Sequence, residues 1–264
     1  MKVKWVETDW METWAAMRSR LRDLEVVTIL AALGIVVTIL GFAALADDVM
    51  EGDTLSFDRT ILEGLRSAGD TSQLIGPSWL EGVAANFTAL GGVTVSTFLV
   101  LAVVGFLAIR RAWLELALVA GATIGGTIVT FALKAAFNRP RPDIVPHLVA
   151  VSDPSFPSGH AMLSAVIYLT LGTLTAEFLA KRSLKAYVMA VAFTVTFFVG
   201  LTRVLLGVHY PTDVLAGWSI GLGWALSCWL VVRYFEFRLG PDQFELEGAR
   251  EDAAQMGEHA EEDG

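Results

Sequence analysis

The chain has 264 residues, of which 54% are hydrophobic, 18% are charged and eight are Trp, with a mean hydropathy of +0.56. That composition excludes an ordinary soluble domain and points to a membrane protein. The formal net charge of -9 belongs to a tail, because Pro241 to Gly264 holds nine acids and one base while the rest has 18 bases and 19 acids; no nucleic-acid partner is expected.

In chain order, Trp10, Trp14, Met17 and Leu21 are spaced to share one helical face, so residues 1–24 are expected to form a cytoplasmic amphipathic segment. An extension of the first span is the alternative. Stretches free of Asp, Glu, Lys and Arg cover 26–46, 82–109, 116–133, 154–176, 186–202 and 214–232. A span needs about 20 mostly apolar residues, and these runs predict six transmembrane helices near 25–46, 87–109, 113–137, 160–180, 186–208 and 213–234. The expected fold class is all-α and polytopic, with residues 25–238 as one six-helix membrane domain. Residues 239–264 read as an acidic disordered tail in which His259 is solvated.

A cleavable signal peptide ending at Ala44-Leu45-Ala46 is a rival reading of the first run, but 21 uncharged residues exceed the usual apolar core of such peptides. Basic residues cluster before the first span (Lys2, Lys4, Arg18, Arg20, Arg22), at Arg110 and Arg111, at Lys181, Arg182 and Lys185, and at Arg233 and Arg238. In a six-span chain these all fall on one side, which predicts cytoplasmic termini. Gly121, Gly125 and Gly126 are expected to permit close helix packing, and Cys228, the single cysteine, to pack as a small apolar residue.

Three polar clusters interrupt the apolar pattern on the opposite side. Lys134 to Arg141 leave the third span, Pro157-Ser158-Gly159-His160 enters the fourth, Arg203 and His209 leave the fifth, and Asp213 enters the sixth. Lys134, Arg141 and Arg203 are cations suited to phosphate. Ser158 and Gly159 stand at a helix start, where free backbone N–H groups and the helix dipole favour an anion. Nothing in the sequence has the spacing of a zinc or calcium site, so neither metal nor cofactor is expected. Pro140 and Pro142 should stop the third helix near Asn138 and let Arg141 fold back. Arg203 and His209, six residues apart, would diverge on an unbroken helix, so a break near Gly207 is expected, with Pro211 in the first turn of the sixth span. His209, four residues before Asp213, is the better nucleophile, because a carboxylate on one ring nitrogen leaves the other free to attack phosphorus. His160 is then placed to protonate the departing oxygen. Arg139 remains undecided between site and headgroup anchor, and Asp143 and His147 read as solvated loop residues.

Lys134-x6-Arg141-Pro142, Pro157-Ser158-Gly159-His160 and Arg203-x5-His209-x3-Asp213 resemble the three-part signature of type 2 phosphatidic acid phosphatases, the lipid phosphatase superfamily shared with vanadium haloperoxidases. Thr202 departs from the commoner Ser of that pattern, with the hydroxyl retained. The resemblance implies that Lys134, Arg141, Ser158, Gly159 and Arg203 bind phosphate. It implies further that His209 becomes phosphohistidine, Asp213 supports it, and His160 serves as acid and then base. It implies a metal-independent hydrolase of membrane lipid phosphates; the compact loops, for their part, favour a bacterial cytoplasmic membrane with the site on the periplasmic or exterior face. Phosphatidic acid, phosphatidylglycerol phosphate and isoprenyl pyrophosphates are candidate substrates. A lipid-phosphate carrier without turnover and a vanadate-dependent haloperoxidase are the alternatives.

Overall fold

A computed structural model describes residues 10–239, with side chains described for 26–235. The expectations for the face bearing Trp10, Trp14, Met17 and Leu21, and for the tail with His259, lie outside the described side chains. The elements are α1 (Trp10–Glu51), α2 (Leu55–Gly64), a hairpin of β1 (Arg66–Ser67) and β2 (Asp70–Leu74), α3 (Trp79–Leu90), α4 (Val93–Ile109), α5 (Trp113–Phe137), α6 (Gly159–Glu177), α7 (Arg182–Leu205) and α8 (Pro211–Leu239). Apart from the hairpin, every described element is a helix. Five helices are long and apolar enough to cross a membrane, and the pair α3 and α4 makes a sixth span if taken together.

That pair corrects the expectation of one straight helix at 87–109. The chain bends by 41° between α3 and α4, at Gly91 and Gly92, where helix propensity is poor and the backbone is least constrained. Carbonyl oxygens left over at the break find partners: the Leu90 oxygen accepts from Tyr168 Oη at 2.8 Å and from Ser96 Oγ at 3.3 Å. The first span also runs past Ala46 to Glu51, with Phe42, Ala46 and Val49 packed against Phe156 and Ala216. Apolar burial of this kind ties α1 to α8 and to the loop after α5.

The centre of the bundle is α6, which packs against α5, α7 and α8 and buries Ala161, Met162, Ala165 and Val166 almost completely. Most of the described side chains on α1 and α4 remain exposed and apolar, as lipid-facing surfaces are. Gly125 and Gly126 meet the Trp224 ring, and Gly126 also meets Val166, as close packing requires; Gly121 faces open space and does not serve that purpose. Cys228 is half-buried and free.

α2 was not expected. It lies in the acidic connection after α1, and its Leu62, with Ile61 and Leu65 alongside, joins a cluster with Val145, Val204, Tyr210 and Val214. Those residues come from the segments that carry the polar clusters, so α2 forms the back wall of that end of the bundle.

Candidate active site

Each polar cluster sits where a helix ends, and the local sequence explains each ending. α5 stops at Asn138, which takes the left-handed conformation (φ 45°) and donates its N–H to the Lys134 carbonyl; Asn tolerates that conformation better than most residues. α7 stops at Leu205, and Gly207 follows at φ 74°. Gly207 N–H donates to Val204 O at 2.9 Å and Val208 N–H to Arg203 O at 3.2 Å, the paired bonds of a Schellman cap. The break expected near Gly207 is therefore present, and it turns His209 back toward Arg203. Pro211 opens α8, and Asp213 lies in its first turn.

Ser158 precedes α6 in extended conformation and donates its N–H to the Asp213 carbonyl at 2.9 Å. Its hydroxyl is buried and has no hydrogen-bond partner, and neither has the buried Nε of Arg203. Arg203 Nη1 donates to Thr88 Oγ1 of α3 at 2.9 Å, so the bent second span anchors this side chain. Thr202 spends its hydroxyl on the Val199 carbonyl at 2.7 Å, within the helix. His160 lies in the first turn of α6, packed beside Gly91 at the bend between α3 and α4.

Lys134 and Arg141 meet on one carboxylate. Lys134 Nζ donates to Asp153 Oδ2 at 2.6 Å and to the Pro154 carbonyl. Arg141 Nη2 reaches Asp153 Oδ1 at 2.7 Å, its Nε the Asp153 carbonyl at 2.7 Å, and its Nη1 the Val208 carbonyl at 2.6 Å. Burial alone would raise the Asp153 carboxyl, but the hydrogen bond and charge of Lys134, with those of Arg141, outweigh it and hold the group well below the usual carboxylate range.

The ring of His209 is fixed from both sides. Nδ1 lies 3.3 Å from Asp213 Oδ2, and Nε2 lies 3.2 Å from Arg141 Nη1. A guanidinium only donates, so Nε2 accepts and Nδ1 carries the proton. Burial, then the charges of Arg141, Arg203 and Lys134, hold His209 well below its ordinary value of 6.5, against the opposing charge of Asp153. At about pH 6 the ring should therefore be neutral with the proton on Nδ1. Nitrogen NMR of histidine-labelled protein, assigned by loss of the signal in His209→Ala, checks this; an imidazolium signal for His209 at that pH contradicts it.

Asp213 is fully buried. Its Oδ2 accepts the Tyr210 N–H at 2.9 Å and its Oδ1 accepts Arg139 Nη1 at 2.6 Å. Arg139, undecided from sequence, is thus part of this end of the bundle. Its Nη2 bonds Asp58 Oδ2 at 3.0 Å, and the guanidinium lies 4.1 Å from the centre of the Tyr210 ring. His147, by contrast, bonds the Pro142 carbonyl at 2.6 Å and stabilises the loop.

The structure thus brings Lys134, Arg141, Ser158, Gly159, His160, Arg203, His209 and Asp213 to one end of the bundle. A family model of the PAP2 superfamily matches residues 113–237. Phosphatidylglycerophosphatase B of Bacillus subtilis is 38% identical over 158 residues, covering 56% of this chain and 73% of that protein. The chain belongs to the PAP2 superfamily. It is accordingly a phosphoric ester hydrolase of the membrane lipid phosphatase kind. A crystal structure of a transmembrane PAP2 type phosphatidylglycerolphosphate phosphatase from Bacillus subtilis superposes with a TM-score of 0.67 at 30% identity, covering 78% of this chain and 98% of that one. Decaprenylphosphoryl-5-phosphoribose phosphatase of Mycobacterium tuberculosis is 35% identical over 130 residues, which is 47% of this chain and 65% of that protein.

Sequence reasoning missed Asp58, Asp153 and Thr88. Asp58 did leave a signal, since it aligns with Leu62 and Leu65 at helical spacing, which puts an acid on the apolar face of α2. Asp153 and Thr88 left none, because each is one polar residue in a segment that tolerates any.

Proposed function

We infer that this PAP2 member hydrolyses the phosphate of a membrane lipid through a phosphohistidine on His209, using no divalent metal. The observation that carries the reading is the His209 ring held between two partners, Nδ1 at 3.3 Å from Asp213 Oδ2 and Nε2 at 3.2 Å from the Arg141 guanidinium, an arrangement that calls for the proton on Nδ1. Lys134, Arg141 and Arg203 supply the positive charge that a metal supplies in other phosphoryl-transfer sites. The unpartnered Ser158 Oγ and Arg203 Nε, with the free N–H groups at the start of α6, are donors suited to phosphate oxygens.

In the first step the Nε2 lone pair forms a bond to phosphorus, the bond from phosphorus to the lipid oxygen breaks, and protonated His160 gives that oxygen its proton. In the second, neutral His160 takes a proton from water, the water oxygen bonds phosphorus, and the N–P bond breaks to return His209. Asp213 stabilises the positive charge that the ring gains between the two steps.

Arg110, Arg111, Lys181, Arg182 and Lys185 lie at the other end of the bundle, which supports cytoplasmic termini and a site on the periplasmic or exterior face of a cytoplasmic membrane. The likeness to phosphatidylglycerophosphatase B supports a glycerolipid phosphate monoester as substrate. The test is phosphate release from phosphatidylglycerophosphate, phosphatidic acid and undecaprenyl pyrophosphate in detergent with a chelator present. Release of phosphate that depends wholly on added magnesium would sink the metal-free mechanism, and preference for the pyrophosphate would sink the substrate reading.

Asp153 occupies Lys134 and Arg141, the two cations that the substrate phosphate must engage. Its carboxylate is half-exposed, so the competition is modest in water. Asp153→Asn is expected to lower the inhibition constant of inorganic phosphate by roughly three- to tenfold, since a weaker competitor remains on the two cations. An unchanged or raised constant in an inhibition assay would show that Asp153 orders the cations instead of competing for them.

A further inference from the structure

We propose that Asp58 and Arg139 are positioning residues for the phosphoryl transfer, because Arg139 bridges two fully buried carboxylates, Asp58 of α2 and Asp213 behind His209. The inference rests on His209 as nucleophile and adds Asp58, from outside the three sequence clusters, and Arg139, from outside their signature positions.

The geometry closes on itself. Arg139 gives Nη1 to Asp213 Oδ1 at 2.6 Å and Nη2 to Asp58 Oδ2 at 3.0 Å. Thr212, one residue before Asp213, donates its N–H to Asp58 Oδ1 at 3.1 Å and its hydroxyl to Asp58 Oδ2 at 2.7 Å, and the same hydroxyl accepts from Arg139 Nη1 at 3.0 Å. Asp58 thereby holds both the cation beside Asp213 and the backbone that presents it.

Charge explains why two carboxylates are present. A buried Arg139 beside Asp213 alone would form a neutral pair and cancel much of the field that Asp213 exerts on His209. Asp58 on the cation's far side leaves the buried trio with one net negative charge. That charge is matched when the His209 ring becomes positive in the phosphorylated state, at a place where water cannot screen it. Asp58 and Arg139 touch neither His209 nor the unpartnered donors at Ser158 and Arg203 in this structure, so their effect passes through Asp213.

A structural staple between α2 and α8 would use the same bonds, and the test separates the two roles. Turnover and KM per folded molecule would be measured with phosphatidylglycerophosphate or phosphatidic acid, with the folded fraction taken from gel filtration in detergent. Asp58→Asn is expected to lower kcat by about ten- to a hundredfold with KM changed less than about threefold. Arg139→Met, which leaves two buried carboxylates facing each other, should lose more, and Arg139→Lys should recover part of that loss. The double variant Asp58→Asn with Arg139→Met restores one net negative charge and should turn over faster than Arg139→Met alone, an inversion that a staple does not produce. A kcat for folded Asp58→Asn within twofold of the parent, or a double variant no faster than Arg139→Met, would overturn the pair's role. His209→Ala run in parallel distinguishes the failures: full turnover there would overturn the nucleophile itself.

Discussion

Replacing His209 by Ala is expected to lower phosphate release by at least about ten-thousand-fold. The substitution removes the only described ring nitrogen that is both held neutral and aimed away from its carboxylate, so no N–P bond can form. What survives is the cradle of Lys134, Arg141 and Arg203, which can still orient a phosphate and offset its charge; that residue of catalysis falls far short of the covalent route. The protein should still fold, because Asp213 keeps its bonds to Arg139 and the Tyr210 N–H and is not left as an unpaired buried charge. The cavity left by a 1%-exposed side chain costs on the order of 1–3 kcal/mol. Incubation with radiolabelled lipid phosphate, followed by quenching, should leave an acid-labile, base-stable label on the parent protein and none on His209→Ala. Undiminished release, or a label that persists in the variant, would remove His209 from the chemistry.

The site was legible in the sequence to the extent that its residues sit at helix ends, and it was illegible where they do not. Asn138, Gly207 and Pro211 are residues whose backbone preferences mark a stop or a start, so the fold-back of Arg141 and the turn that brings His209 toward Arg203 follow from short-range rules. The Gly91 and Gly92 break is of the same kind, yet it was read through, because an uncharged run from 82 to 109 satisfies a hydropathy count whatever its shape. Its consequence is Thr88, carried by the bent span to Arg203. Asp58 lies 81 positions from Arg139. Only the tertiary packing of α2 on Val145, Val204 and Tyr210 joins them, and no local rule reaches that far. Arg139 itself stands two residues from Arg141, and in an extended segment alternate side chains share a side; the loop instead sends Arg141 to Asp153 and Arg139 to Asp213.

Asp213→Asn is expected to lower kcat by about a thousand- to ten-thousand-fold while the protein folds and binds phosphate. The reason is one of donors and acceptors. Asp213 meets donors on both oxygens: Arg139 Nη1 on Oδ1, and the Tyr210 N–H together with His209 Nδ1–H on Oδ2. An amide has one oxygen, and the fixed guanidinium, a charged donor at 2.6 Å, makes the stronger demand on it. The amide NH2 then takes the place of Oδ2, where the Tyr210 N–H loses its acceptor and His209 Nδ1 can accept only by giving up its proton. The imidazole proton moves to Nε2, and the lone pair that should attack phosphorus is gone. Folding survives because Asp58 and Arg139 remain as a neutral buried pair with Thr212 bound between them. Steady-state kinetics would show the fall in kcat with the inhibition constant of inorganic phosphate changed little, and nitrogen NMR would show the His209 proton on Nε2. A variant that kept parental turnover, or that lost activity with the proton still on Nδ1, would mean that Asp213 acts by some means other than holding the tautomer.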